Sequence, residues 1–356
     1  FAVAYWLRPF SLTSWRVLLL LFDVLAAAAV LLATQGLMAS GLLKFTIFPE
    51  IDGDRMTANI EFPHEVEACR QRGAAGIGLY RTEFLYLGAD VEPTEEDHYE
   101  AYLEVVRAMG DRPVVIRTMD LGADKLGQLP QDEDEHNPCL GLRSIRFSLQ
   151  NLPTFRTQLR AILRASAEGN VQVMFPLITT LTELRQARML LNNVKEDLQE
   201  EGIPFRKEIP VGMMVEVPAS VTMIDVFIKE IDFISIVTND LIQYALAVDR
   251  SNKDVSHLYQ ASDPAVLRLI DTTLKAARHA GVPASICGQM SGTPHIALLL
   301  LGLGLRSLSV PPSSIPEIKQ LCRNVRMSQC EAIAERAMQM EGAREIDTYL
   351  KQELKK

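Results

Sequence analysis

From residue 57 onward, short apolar runs alternate with segments whose apolar positions recur every three or four residues. The runs are 57–62 (TANIEF), 76–81 (GIGLYR), 114–120 (VVIRTMD), 171–178 (VQVMFPLI), 211–217 (VGMMVEV), 233–240 (FISIVTND), 284–289 (ASICGQ) and 307–312 (SLSVPP). Most are continuous rather than alternating, as parallel strands covered on both faces require. Between them, 153–166 opens with proline and puts Phe155, Leu159, Ile162 and Leu163 on one helical face. Segment 182–201 is polar-faced and closed by Gly202, and 263–280 is closed by Gly281. Eight such strand–helix repeats in about 300 residues predict an α/β fold, a (β/α)8 TIM barrel over 57–340 with a charged helical tail at 341–356.

The first 56 residues do not share this pattern. Segment 17–43 is apolar except for Asp23, and 24–43 holds 20 residues without a charge. At ~1.5 Å per residue that is ~30 Å, one bilayer core, so a transmembrane helix is expected, with a buried apolar helix as the alternative. Trp15 and Arg16 flank one end and Lys44 the other, as interface anchors would, and the even charge bias leaves the orientation open.

Composition narrows the function. The 356 residues are 48% hydrophobic and 23% charged, a folding composition. The net charge of −9 and the lack of a basic stripe exclude nucleic acid as a partner. Five cysteines, an odd count with no C-x-x-C pair, point to a reducing compartment rather than to disulfides or zinc. The chain has no initiator methionine and reads as a fragment. The acidic loop 131–137 reads as solvated, and the six scattered histidines as surface or packing residues.

Barrel enzymes carry their chemistry at the carboxyl ends of the strands. Those ends supply Arg81, Arg117 to Asp120, Glu216, Asn239-Asp240 and Cys287. A single arginine at a strand end is ordinarily a surface ion pair; five of eight strands ending in such groups is a pattern. Glu216 and Asp240, read as lying on neighbouring strands, suit Mg²⁺ as hard oxygen ligands. Arg81, Arg117 and Arg250 suit a bidentate grip on phosphate, Asn239 can add its amide, and Lys125 further positive charge. Cys287, inert core in isolation, becomes a candidate proton donor or nucleophile if it faces that cluster.

The stretches 58–88 (ANIEFPHEVEACRQRGAAGIGLYRTEFLYLG), VVIRTMDLGADK, NPCLGLRSIR, GMMVEVPA, FISIVTNDLIQYALAVDR and ICGQMSG follow one another in order. Together they resemble the phosphoenolpyruvate-binding C-terminal domain of Enzyme I, the phosphoenolpyruvate–protein phosphotransferase of the bacterial sugar phosphotransferase system. The resemblance implies that Arg81, Arg117, Arg250 and Asn239 hold the phosphoryl group, with Arg143 near the site. It further implies that Glu216 and Asp240 bind Mg²⁺ and that Cys287 protonates the enolpyruvate carbon. A cytoplasmic homodimer is implied, with a small histidine phosphocarrier protein as the family's partner. The departures are Ala123 in GADK, VTND for GTND, and Gln289 in CGQMSG for a usual glutamate. The family's phosphorylatable histidine and carrier-docking surface are not found in the sequence, so little autophosphorylation is expected.

Residues 36–63 in turn resemble a membrane-helix exit of resistance-nodulation-division efflux pumps, which makes residues 1–56 read as foreign to the barrel and possible tethers of it to a membrane. Two other readings stay open: a Mg²⁺-dependent enolate aldolase or lyase on the same barrel, and a non-catalytic phosphoenolpyruvate-binding sensor.

Overall fold

The structure, a computed structural model, describes residues 56–87, 91–122 and 137–356. The apolar segment 17–43, Lys125 and the acidic loop residues 131–136 lie outside the described residues. Among the described residues, no helix is long and apolar enough to cross a membrane.

Eight parallel strands close into a barrel: β1 (Met56–Ile60), β2 (Ile77–Tyr80), β3 (Val114–Arg117), β4 (Val171–Phe175), β5 (Val211–Val215), β6 (Phe233–Val237), β7 (Ala284–Cys287) and β8 (Leu308–Val310). The ring closes where β1 pairs with β8, Met56 opposite Leu308 and Ala58 opposite Val310. Side chains reinforce that seam. The Asn59 amide donates to the Ser309 carbonyl at 3.1 Å, and the Ser309 hydroxyl donates to Asn59 Oδ1 at 2.6 Å.

All eight expected strands form, but each ends one to three residues before its apolar run does. The ladder stops where the chain turns outward, and the next residues belong to loops or helices. Asn239 and Asp240 are the clearest correction: they lie in the first turn of the helix Thr238–Leu246, not on β6. Glu216 likewise sits one residue past β5. The two carboxylates therefore come from loop and helix positions rather than from neighbouring strands.

The outer helices start and stop where local chemistry demands. Thr94 caps Glu95–Met109 in a reciprocal box with Asp97, and Thr180 does the same with Glu183 for Leu181–Glu200. Asp263 accepts from the Ala265 amide at the start of Pro264–Ala280, which ends at Gly281 with φ 69°. The C-terminal helices Ile315–Asn324, Met327–Ala337 and Ala343–Glu353 follow β8, and Ile346 and Leu350 of the last are fully buried.

The main apolar core fills the space between strands and helices. A smaller cluster, Leu79, Val115, Met174, Met214, Phe233, Val237 and Cys287, comes from six strands and fills the lumen. Successive strand side chains alternate in and out. Two residues beyond the lumen residues Leu79, Val115, Met214 and Val237 stand Arg81, Arg117, Glu216 and Asn239. The lumen core thus forms the floor of a polar mouth.

Of the two roles expected for the histidines, surface or packing, His98 takes the second. His98 is 1% exposed, with Nδ1 2.8 Å from the Tyr102 hydroxyl and Nε2 3.1 Å from that of Tyr86. Burial pushes its pKa down from 6.5 to about 4, against the pull of Asp97. Between those values the unfolded chain binds a proton that the folded chain refuses, so stability falls as pH drops through this window. The loss is expected to approach ~1.4 kcal/mol per pH unit there. Urea unfolding of wild type and His98→Gln from pH 7 to 4 checks this: the variant should lose most of the slope, and equal slopes would refute the assignment.

Candidate active site at the carboxyl end of the barrel

Arg117, the last residue of β3, is 7% exposed. A guanidinium at that depth needs matched partners, because an unpaired buried charge costs several kcal/mol. Two carboxylates supply them: Nη2 lies 2.9 Å from Glu83 and Nη1 2.9 Å from Asp120. Burial lowers its proton affinity, but Glu83, Asp120 and Glu216 more than offset this and hold it firmly cationic. Glu83 also accepts the Asp120 amide at 3.0 Å, so one side chain ties the exits of β2 and β3.

Arg143 opens the helix Ser144–Gln150 and forms an antiparallel bridge with Gly122. Its Nη2 donates to Asp120 at 2.8 Å, and Nη1 is 3.8 Å from Asp240. Asp120 thus stands between two arginines. Burial alone would raise its pKa; Arg117 and Arg143 outweigh that and bring it to about 2.

Glu216 and Asp240 behave in the opposite way. Glu216 is 1% exposed; Oε1 accepts the Leu177 amide at 2.5 Å, where Leu177 holds φ 50°, while Oε2 is buried with no partner among the described residues. Burial first, then Asp240 and Asp120, push its pKa up to about 8. Burial and Asp120 also raise Asp240, against Arg143, Arg250 and Arg117. Three neighbouring acids are therefore split: Asp120 is ionised and paired, whereas Glu216 and Asp240 are shifted toward their protonated forms. An orphaned carboxylate oxygen beside a second carboxyl fits a hard divalent cation such as Mg²⁺, which keeps open positions for water and substrate oxygens. Among the described residues, no three His, Cys, Asp or Glu side chains form a complete protein cage for a metal.

Cys287 ends β7 and is fully buried, accepting from the Ser235 hydroxyl at 3.4 Å. Burial pushes its thiol up to about 11, against the pull of Arg81 and Arg117, both within electrostatic reach. A thiol held protonated is a proton donor rather than a nucleophile, which narrows the two roles open from sequence. The following Gly288 has φ 107°, and a Cβ there would lie 2.5 Å from Thr238 Oγ1 and 3.1 Å from Asn239 Oδ1. Only glycine lets β7 turn this close to the first turn of the neighbouring helix.

Arg81 follows β2, a third exposed, with Nη1 2.6 Å from Glu61. Asn239 Oδ1 accepts the Gln289 amide at 3.2 Å, so its NH₂ end is the one that can donate to a ligand. Tyr259 donates to the Asn239 carbonyl at 3.0 Å and sits beside the Arg250 guanidinium. Arg250 itself is exposed, past the left-handed Ala247 that ends its helix, and its amide donates to Gln243 Oε1 at 3.3 Å. Arg81, Arg117, Arg143, Arg250, Glu216, Asp240, Asn239 and Cys287 thus gather around one mouth. Glu83, and Asp120 as a charge partner, were not singled out from sequence. The available signal was an acid two or three residues after the arginine of each Arg-Thr pair, Arg81-Thr82-Glu83 and Arg117-Thr118-Met119-Asp120.

The profile of the family described as PEP-utilising enzyme, PEP-binding domain, matches residues 46–327. A phosphoenolpyruvate-protein phosphotransferase of Priestia megaterium is 44% identical over 296 residues, covering 83% of this chain and 52% of the relative. Those of Geobacillus stearothermophilus (45% identical, 83% of this chain, 51% of the relative) and Staphylococcus carnosus (44%, 82% and 51%) match similarly. The chain spans about half the length of these curated relatives. Among solved structures, a citrate lyase of Burkholderia xenovorans is alike in fold, with a TM-score of 0.51 and 14% identity over 85% of this chain and 90% of that one. With a profile match across most of its length and a barrel mouth lined by paired arginines and carboxyls, the chain belongs to the PEP-binding domain family of PEP-utilising enzymes.

Proposed function

We propose that residues 57–340 form the phosphoenolpyruvate-binding barrel of a phosphoenolpyruvate–protein phosphotransferase, and that the mouth described above receives the substrate. The observation that carries this reading is the division of labour among buried charges. Arg117 and Arg143, held cationic by Glu83 and Asp120, stand beside Glu216, whose Oε2 has no partner among the described residues, and Asp240, which Arg143 reaches only at 3.8 Å. A doubly charged ester bound with a divalent metal completes that balance.

In this reading Arg81, Arg117 and Arg250 grip the phosphoryl oxygens, Asn239 donates its amide to the same group, and Arg143 orders Asp120 and Asp240 alongside. Glu216 and Asp240 hold Mg²⁺, which when bound neutralises charge on the substrate oxygens. The bridging P–O bond breaks and the phosphoryl group passes to a histidine. The enolate left behind takes its proton from the Cys287 thiol to give pyruvate. Cys287 suits this step because burial keeps the proton on sulfur at neutral pH. Following the resemblance, the barrel pairs with a second copy in the cytoplasm, and a small histidine phosphocarrier protein receives the phosphoryl group.

Isothermal titration of phosphoenolpyruvate into the full chain, with and without Mg²⁺, tests the reading. Wild type is expected to bind at least tenfold more tightly with the metal. Arg81→Ala should weaken binding by about 10- to 100-fold, the loss of charge-assisted hydrogen bonds worth ~1.5–3 kcal/mol; an unchanged affinity would remove Arg81 from the site. Glu216→Gln should keep the fold and abolish the metal enhancement, whereas an enhancement like that of wild type would place the metal elsewhere.

A further inference from the structure

The exits of β2 and β3 carry Arg81, Glu83, Arg117 and Asp120, yet the ladder between these strands is irregular. It pairs Ile77 with Val114 and Tyr80 with Ile116, with a register shift between them, and pairs nothing beyond. Past that point side chains take over. The Thr82 hydroxyl donates to the Arg117 carbonyl at 3.1 Å. Behind it lies Gln158, on the helix Leu152–Ala165, only 1% exposed.

Gln158 has three bonding partners, and each constrains the next. Its Oε1 accepts the Met119 amide at 2.9 Å. Its Nε2 donates to Thr82 Oγ1 and to the Tyr102 hydroxyl oxygen, each at 3.1 Å. Met119 N–H can only donate, which fixes the orientation of the side-chain amide. Thr82, receiving from Gln158, is free to give its proton to the Arg117 carbonyl. The Tyr102 hydroxyl in turn lies 2.8 Å from His98 Nδ1, and His98 Nε2 lies 3.1 Å from the Tyr86 hydroxyl. The buried chain bridges two outer helices to two strand exits.

We propose that Gln158 is a positioning residue for the phosphoryl-binding arginines: by tying Thr82 to Met119 it sets the spacing between the β2 and β3 exits at which Glu83 and Asp120 can both engage Arg117. This rests on the function proposed above. Gln158 itself touches no substrate. Its removal unpairs the Met119 amide and frees Thr82, so the two exits separate, and even sub-ångström misplacement of a binding group is costly.

The test uses the full chain and four variants: Gln158→Leu, Arg117→Lys, the two combined, and Leu159→Ala as a destabilised control on the same helix. Hydrogen exchange of a peptide spanning 114–121 should be at least tenfold faster in Gln158→Leu and unchanged in Leu159→Ala. Phosphoenolpyruvate affinity in Mg²⁺ should fall at least tenfold in Gln158→Leu, and Gln158→Leu should add little to the loss in Arg117→Lys. A purely structural role would instead give equal losses in both backgrounds. Wild-type exchange across 114–121 in Gln158→Leu overturns the proposal, whatever the substrate does. Faster exchange in Gln158→Leu alone, in a wild-type chain that binds no phosphoenolpyruvate, upholds the clamp while removing the function it serves.

Discussion

A guanidinium sunk into the mouth of a barrel dictates much of what surrounds it. Arg117 is buried on β3, and water cannot solvate it there. Glu83 and Asp120 must therefore reach it from two different strand exits, and Arg143 must reach Asp120 in turn. Each partner brings a backbone segment with it: the turn after β2, the loop after β3 and the start of the helix Ser144–Gln150. Removing any one partner would leave an uncompensated charge at a cost of ~3–5 kcal/mol, so the loops at this end are held by electrostatics as much as by packing.

The same pairing explains why nearby acids differ so sharply. Asp120 pairs closely with Arg117 and Arg143, whereas Glu216 is desolvated with one oxygen unpaired and Asp240 meets Arg143 only at 3.8 Å. Carboxyls placed this way favour an added positive charge such as a divalent cation. Cys287, one strand away, is kept neutral by the same dry surroundings.

The strands were legible because parallel strands inside a shell of helices are apolar throughout, and helix limits because Pro153, Gly202 and Gly281 carry terminal chemistry locally. Strand ends were less so. Asn239 and Asp240 follow β6 directly, and the helix that begins at Thr238 takes them out of the strand. Arginines and carboxyls at the mouth could be read from their place after lumen residues, two steps on in each strand. The roles of Glu83 and Asp120 could not, because their meaning depends on which strand lies next to which. His98 and Gln158 were invisible for a related reason: a single polar residue on a helix gives no sign that three other buried groups wait to meet it.

Closure of the ring by β1 and β8 has a consequence for synthesis. Asn59 and Ser309 bond across a separation of 250 residues. A ribosome adding ~5–20 residues per second leaves β1 waiting ~10–50 s for its last neighbour. Until then the nascent sheet has two open edges, each able to template misassembly with another chain. The five-residue β1 and the four-residue β7, the two edges just before closure, offer little to a wrong partner during that wait.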